Sequence, residues 1–388
     1  MEPWHAPAPL QRAYCIKEIY YTQQSGAQFD VVMSSAQQVA FEAALVKHLG
    51  SIATSLSKVD VRTATCRNEK DTMAILDELE QGVGFVACNT QVIGLLREAL
   101  VAQARAALGR LLTAKRGTSA LINQLGRLLM DMGKLEEAMP LFEEALQAKR
   151  ETLGDRHPST LRSIGNMGGL LADMGKLEEA RPLHEEAVQA SRETLGDRHL
   201  NTLTSIGNMG LLLKTMGQLK EARPLYEEAL QGRKETLGDR HPSTLRSVGN
   251  MGLLLEAMGQ LEKARPLLEE ALHAQRETLG DRHPETLTSI GNMGLLLQEM
   301  GQLEEARPLL EEALQARRET LGDRHPATLI SIYNMGELLK NMGMLAEAIP
   351  LFTEELEGLV VLRGMKYAIR RRVIRTSRSP EHGRTNMW

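Results

Sequence analysis

The stretch ETLGDRHPSTLRSIGNMG, Glu151–Gly168, is written again with few changes from Glu193, Glu235, Glu277 and Glu319. Its glycines Gly154, Gly196, Gly238, Gly280 and Gly322 stand 42 residues apart. A fixed period of about 20 to 50 residues marks a solenoid, in which each unit buries its apolar face only against its neighbours. The period therefore decides the fold class before any local reading begins.

Each period reads as two helices. In STLRSIGNMGGLLADMG, Ser159–Gly175, the residues Ile164, Met167, Gly168 and Leu171 fall on one helical face. Pro158 suits a first helical turn, where its missing N–H costs nothing. Gly175 interrupts the pattern. KLEEARPLHEEAVQASRETLG, Lys176–Gly196, then sets Leu177, Ala180, Leu183 and Ala187 on one face and glutamates on the other. Gly196 is expected to close this second helix in a left-handed conformation. Pro140, Pro182, Pro224, Pro266, Pro308 and Pro350 lie inside the second helices. There a lost backbone bond is expected to bend the helix. Turns at Gly133, Gly175, Gly217, Gly259, Gly301 and Gly343 make six pairs. The expectation is a mostly α protein. Residues 118–357 form a right-handed α–α superhelix of six 42-residue pairs, residues 1–110 a small α/β segment, and residues 358–388 a basic tail.

Composition agrees with packed helices. Aromatic residues are 3% of the 388, too few for the sandwiches and barrels that favour aromatic strands. The net charge of −4 argues against nucleic-acid binding by bulk electrostatics. Cys15, Cys66 and Cys88 all precede the repeats, and an odd, sparse count points to a reducing compartment. No secretory leader and no membrane-spanning run is visible, so the expected location is cytoplasmic.

The small residues Gly168 and Ala180 at the helix crossing, with Leu177 and Ala187, resemble the tetratricopeptide repeat. The 42-residue period, LGDRHP before the first helix and EARPLYEEAL (Glu221–Leu230) in the second are similar to the kinesin light chain and nephrocystin-3 subgroup. The resemblance covers residues 118–357. It implies a non-enzymatic scaffold or adaptor that holds a protein segment in a concave groove, with no cofactor. A kinesin light chain-like cargo adaptor would also carry an upstream heptad coiled coil. Thr90–Leu112 reads instead as one apolar-rich helix, so motor-chain association is not expected.

On the first helix of a pair, Arg162, Asn166, Gly169 and Asp173 form a stripe beside the packing face. Its second position recurs as Gln124, Asn166, Asn208, Asn250, Asn292 and Asn334. An amide offers donor and acceptor together and can pair with both groups of a peptide backbone. The resemblance implies that this row is an asparagine ladder holding a ligand's main chain. The alternative is that these amides only join neighbouring helices. Arg162 and Arg246 alternate with Thr204 and Thr288, and Lys214 and Lys340 mark another variable position. These are candidate readers of ligand side chains, or positions that drift because they are exposed. The histidines His157, His199, His241, His283 and His325 lie one to a repeat, too far apart to share one metal ion. They read as turn residues. The glycines of GNMG read as points of close helix contact.

Before the repeats, RAYCIKEIY (Arg12–Tyr20) resembles a short signature of TIR-like domains, with Tyr14 in place of Trp. The resemblance implies Glu18 at the catalytic position of those TIR domains that hydrolyse NAD. It gives a second functional reading, a signalling or NAD-consuming protein with a repeat array as sensor. FDVVMS, from Phe29, is expected to form a strand. KYAIRRRVIRTSR, Lys366–Arg378, is either a basic helix for an acidic partner or membrane surface, or a solvated end.

Overall fold

The computed structural model describes residues 64–66, 68–82, 85–323 and 325–363, with isolated positions before them. The expected strand at Phe29 and the basic stretch from Lys366 lie outside the described residues. Among the described residues the protein is helical, with no β-strand beyond an isolated bridge at Thr65. The α/β character expected of residues 1–110 is therefore not what the described part shows.

Among the described residues the helices α1 (Glu69–Gly82) and α2 (Phe85–Arg110) come before the short α3 (Thr113–Arg116). The six pairs follow as α4 (Ala120–Asp131) with α5 (Leu135–Leu153), α6 (Pro158–Asp173) with α7 (Leu177–Leu195), and α8 (Leu200–Thr215) with α9 (Leu219–Leu237). Then come α10 (Pro242–Ala257) with α11 (Leu261–Leu279), α12 (Pro284–Glu299) with α13 (Leu303–Leu321), and α14 (Pro326–Asn341) with α15 (Leu345–Arg363). From α4 onward each helix packs on the next in chain order, and from α6 onward the first helices of consecutive pairs touch as well. This is a consecutive solenoid.

Local chemistry sets the starts of the first helices and the turns that follow them. The Nδ1 of His157 accepts the Ser159 N–H at 3.1 Å, and His199, His241, His283 and His325 cap their helices the same way. The repeated histidine is thus an N-cap, and four of the five are followed by Pro at the first helical position. At the other end of α6 the Gly175 N–H reaches Ala172 O at 2.9 Å and the Lys176 N–H reaches Leu171 O at 2.8 Å. That is a Schellman closure, with Gly175 at φ 76°. Gly196 differs from expectation. Its φ of 86° comes with ψ 161°, an extended positive-φ conformation rather than the left-handed helical one. The chain leaves the second helix stretched, which gives it room to reach the next cap. The internal prolines sit in helices that run unbroken from first residue to last.

Packing is knob into hole. The second glycine of each GNMG receives one large side chain of the second helix. A Cβ built on Gly168 would lie 2.8 Å from His184, and one on Gly252 or Gly294 would lie 2.7 Å from Leu268 or Leu310. Phe142, Tyr226 and Phe352 fill the same hole in pairs 1, 3 and 6. The first glycine behaves otherwise, since a Cβ on Gly165 or Gly291 meets nothing within 4 Å. Only half of the GNMG expectation, close contact, is met.

Ion pairs join consecutive second helices. Arg150 reaches Glu186 at 2.7 Å, Arg192 reaches Glu228 at 2.6 Å, Arg276 reaches Glu312 at 2.7 Å, and Arg318 reaches Glu354 at 2.6 Å. The series skips α9 to α11. Lys234 stands there in place of Arg and contacts Asp239 of its own turn at 3.5 Å.

Candidate functional site

The amide row divides into engaged ends and a free middle. At the start, Gln124 Oε1 accepts the main-chain N–H of Leu49 at 3.1 Å. Next, Asn166 donates to Asn123 Oδ1 at 3.5 Å, and Ser163 Oγ approaches the same oxygen at 3.4 Å. At the far end Asn334 is buried. Between them Asn208 is exposed and Asn250 and Asn292 are half-buried. None of these three has a hydrogen-bond partner among the described residues. An amide left open on a helix, where Asn is a poor helix former, is a group available to something else. The bare Gly165 and Gly291 beside the row leave open space next to it.

A second set of residues, missed by the sequence reading, lies under this row. The second helices carry Lys149, Ser191, Arg233, Gln275 and Arg317 at the same repeat position, all buried. Lys149 donates to Ser163 Oγ at 2.8 Å, Arg233 to Ser247 Oγ at 2.5 Å, and Arg317 to Ser331 Oγ at 2.7 Å. Each therefore reaches forward to the first helix of the next pair. Two also reach back, Arg233 to Thr204 Oγ1 and Arg317 to Thr288 Oγ1, each at 3.2 Å. They fill the seam between adjacent first helices.

This gives the Arg/Thr alternation an internal account. Where the first helix has Thr204 or Thr288, the second helix of the same pair supplies a buried arginine that needs that hydroxyl. Where the first helix has Arg162 or Arg246, both exposed, the second helix has the neutral Ser191 or Gln275. Pairs 2 to 5 thus hold one seam cation each, offered from alternate helices. The signal was present in the sequence as a covariation 29 residues apart, a separation that no helical periodicity would flag.

The buried cations have hydroxyls and carbonyls for partners rather than carboxylates. Burial, helped by the nearby Arg162, brings Lys149 down to about 8. Burial and then Arg246 bring Arg233 down to about 10, and burial lowers Arg317 as well. The other candidate readers are tied locally. Lys340 pairs with Glu337 of its own helix at 3.2 Å, and Lys214 is half-buried and engaged. Arg246 lies 3.8 Å from Glu285. Arg162 has no carboxylate partner among the described residues.

Among the described residues no group of His, Cys, Asp and Glu could hold a metal ion, and no helix is long and apolar enough to cross a membrane. Cys66 and Cys88 are free thiols, and burial pushes Cys88 up to about 11. Near Glu18, Lys17 and Tyr21 both bind Glu78 of α1, at 2.5 Å and 2.6 Å.

The family comparison bears on the array alone. The tetratricopeptide repeat family matches residues 118–159, 163–235, 206–277, 243–307 and 285–359. The match starts at Thr118 and so lends nothing to the TIR-like resemblance of Arg12–Tyr20. No curated protein matches the chain. Among solved structures, the putative kinesin light chain repeats of Podosopora anserina are 30% identical, cover 54% of this chain and 99% of that one, and superpose with a TM-score of 0.43. NprR in complex with its cognate peptide NprX is 15% identical over 89% of this chain and 94% of that one, with a TM-score of 0.54. RapI without ligand is 14% identical over 68% and 91%, with a TM-score of 0.51. With more than half of its residues matched and every pair folded as the repeat requires, the chain belongs to the tetratricopeptide repeat family.

Proposed function

We propose that the protein is a non-enzymatic interaction scaffold that holds an extended segment of a partner protein along its amide row. One observation carries the reading. At Gln124 the row already binds a main-chain N–H, that of Leu49, which is the contact an amide ladder makes with a ligand. Asn208, Asn250 and Asn292 present the same chemistry, with no side-chain hydrogen bond among the described residues. They lie on consecutive first helices, so their spacing follows the helix-packing distance of roughly 10 Å. An extended chain covers that in about three residues, so one side-chain amide meets every third main-chain amide. A similar fold, that of NprR, was solved in complex with its cognate peptide NprX.

The test is a peptide array probed with the full chain and with the Asn208, Asn250, Asn292→Ala triple variant, with helicity matched by circular dichroism. Binding by the unaltered chain and loss in the variant supports the groove. Equal binding by both would assign the three amides a structural role and end this reading.

A further inference from the structure

The helix α2 has two neighbours that lie far apart in the repeat order. It packs against α4 in the first pair and against α13 in the fifth. In a straight stack those pairs would stand about 40 Å apart. Here they share contacts with one helix, and a single residue of it, Arg97, is within electrostatic reach of Asp131 in the first pair and of His325 just past the fifth.

Arg97, midway along α2, marks the junction. The Asp131 carboxylate at the end of α4 acts on its guanidinium from one side. On the other side Arg97 lies close enough to His325, the cap of α14, to oppose protonation there. His325 is driven down to about 3 by burial first, then by Arg97 and Arg317.

The five ETLGDRHP turns provide an internal control, since they are near copies and the fifth follows α13, the second helix that packs on α2. The side chain of Asp323 is 28% exposed, whereas Asp155, Asp197, Asp239 and Asp281 are 70%, 63%, 72% and 65% exposed. Glu319 is 12% exposed, against 36%, 42% and 46% for Glu193, Glu235 and Glu277. The same turn chemistry is therefore covered in one copy and open in the others.

We infer that α2 is a clasp: Arg97, set between Asp131 of the first pair and the acidic fifth turn with its cap His325, draws the two ends of the array together and closes the coil. A closed clasp fixes the curvature of the first helices and so the width of the groove they line. An arginine suits this place because it stays charged when buried and spreads its donors over several partners. The inference stands apart from the peptide reading, since it concerns the shape of the array whether or not the groove is filled.

Hydrogen exchange of the full chain, read on Thr320–Asp323 and its counterparts Thr152–Asp155, Thr194–Asp197, Thr236–Asp239 and Thr278–Asp281, tests the clasp. The fifth segment is expected to exchange on the order of tenfold more slowly than the other four. In Arg97→Glu it should come level with them while helicity is kept, and solution scattering should show a larger radius of gyration. Five segments exchanging alike in the unaltered chain overturn the inference without any variant. A folded Arg97→Glu chain with an unchanged radius and a slow fifth segment overturns it too. Arg97→Gln, which keeps the stem and removes the charge, serves if the reversal disturbs folding.

Discussion

Pairs 2 and 3 are near copies that put their one seam cation on opposite helices. Pair 2 has Arg162 on its first helix and Ser191 on its second; pair 3 has Thr204 and Arg233. In pair 3 the arginine is buried and bonded to Thr204, to Leu203 O and to Ser247. In pair 2 the arginine is exposed and the serine below it is buried without a hydrogen-bond partner. The difference teaches that variation among near copies has to be read two positions at a time. A residue that looks free to drift on an exposed helix face is coupled to one a helix away.

The largest way to break the comparison is Thr204→Arg alone. It removes a hydroxyl that Arg233 uses and sets a further cation beside a buried one that already has Arg246 near it, which should cost about 2–4 kcal/mol. Adding Arg233→Ser rebuilds the arrangement of pair 2 and should recover most of that loss. Urea midpoints of the two singles and the double give the coupling, and strict additivity would mean the seam account is wrong.

The two pairs also differ in the knob that fills the glycine hole. Pair 2 uses His184, buried with Nδ1 unpartnered, and burial lowers its affinity for a proton. The unfolded chain, with His near 6.5, takes up that proton first. The contribution of neutral His184 is therefore complete above about pH 6.5 and drains away as pH falls toward the lower folded value. His184→Leu, which copies Leu268 and Leu310, should flatten this part of the stability–pH curve and gain about 1–2 kcal/mol near pH 5. Denaturation midpoints at pH 5 and pH 8 measure it, and an undiminished slope would count against His184 as its source.

A finer contrast comes from the holes themselves. A Cβ on Gly168 would sit 2.8 Å from His184, and one on Gly210 would sit 3.3 Å from Tyr226. Gly168→Ala should therefore destabilise by about 1–2 kcal/mol. At Gly210 the smaller clash is offset by the roughly 1 kcal/mol gain in helix propensity, so that variant should be near neutral. Equal thermal midpoints would show that the two holes are equally tight. The smallest effect is at the caps. Pair 3 begins with Leu200 where the pairs on either side have Pro158 and Pro242. Leu200→Pro should stabilise by about 0.4–1 kcal/mol by restricting the unfolded chain, visible as a raised melting temperature.

Much of the array could be read before any coordinates. The period, the pairing, the stops at Gly175 and its equivalents and the placement of Pro158 are local signals, and local signals survive in a linear string. The amide row was legible for the same reason, because it lies on one helical face. The occupant of Gln124 was not, since Leu49 lies 75 residues away. The seam cations were hidden because a lysine or arginine on an amphipathic helix is expected in water, and nothing local says that Lys149 and Arg233 are buried. The closed clasp depends on the accumulated curvature of five pairs, a quantity that no single repeat encodes.

The missing ion pair between α9 and α11 has a mechanical meaning. A coil of identical turns shares a tensile load evenly, whereas one with a weaker turn concentrates it there. Arginine staples bind the outer edge of the solenoid on both sides of this junction, but at the junction itself Lys234 turns back to Asp239. Among the described residues the ion pair left at this junction is Arg240 to Glu277, at 2.7 Å, where the neighbouring junctions have an arginine staple as well. With the α2 clasp open, stretching the array from its ends would part it here first.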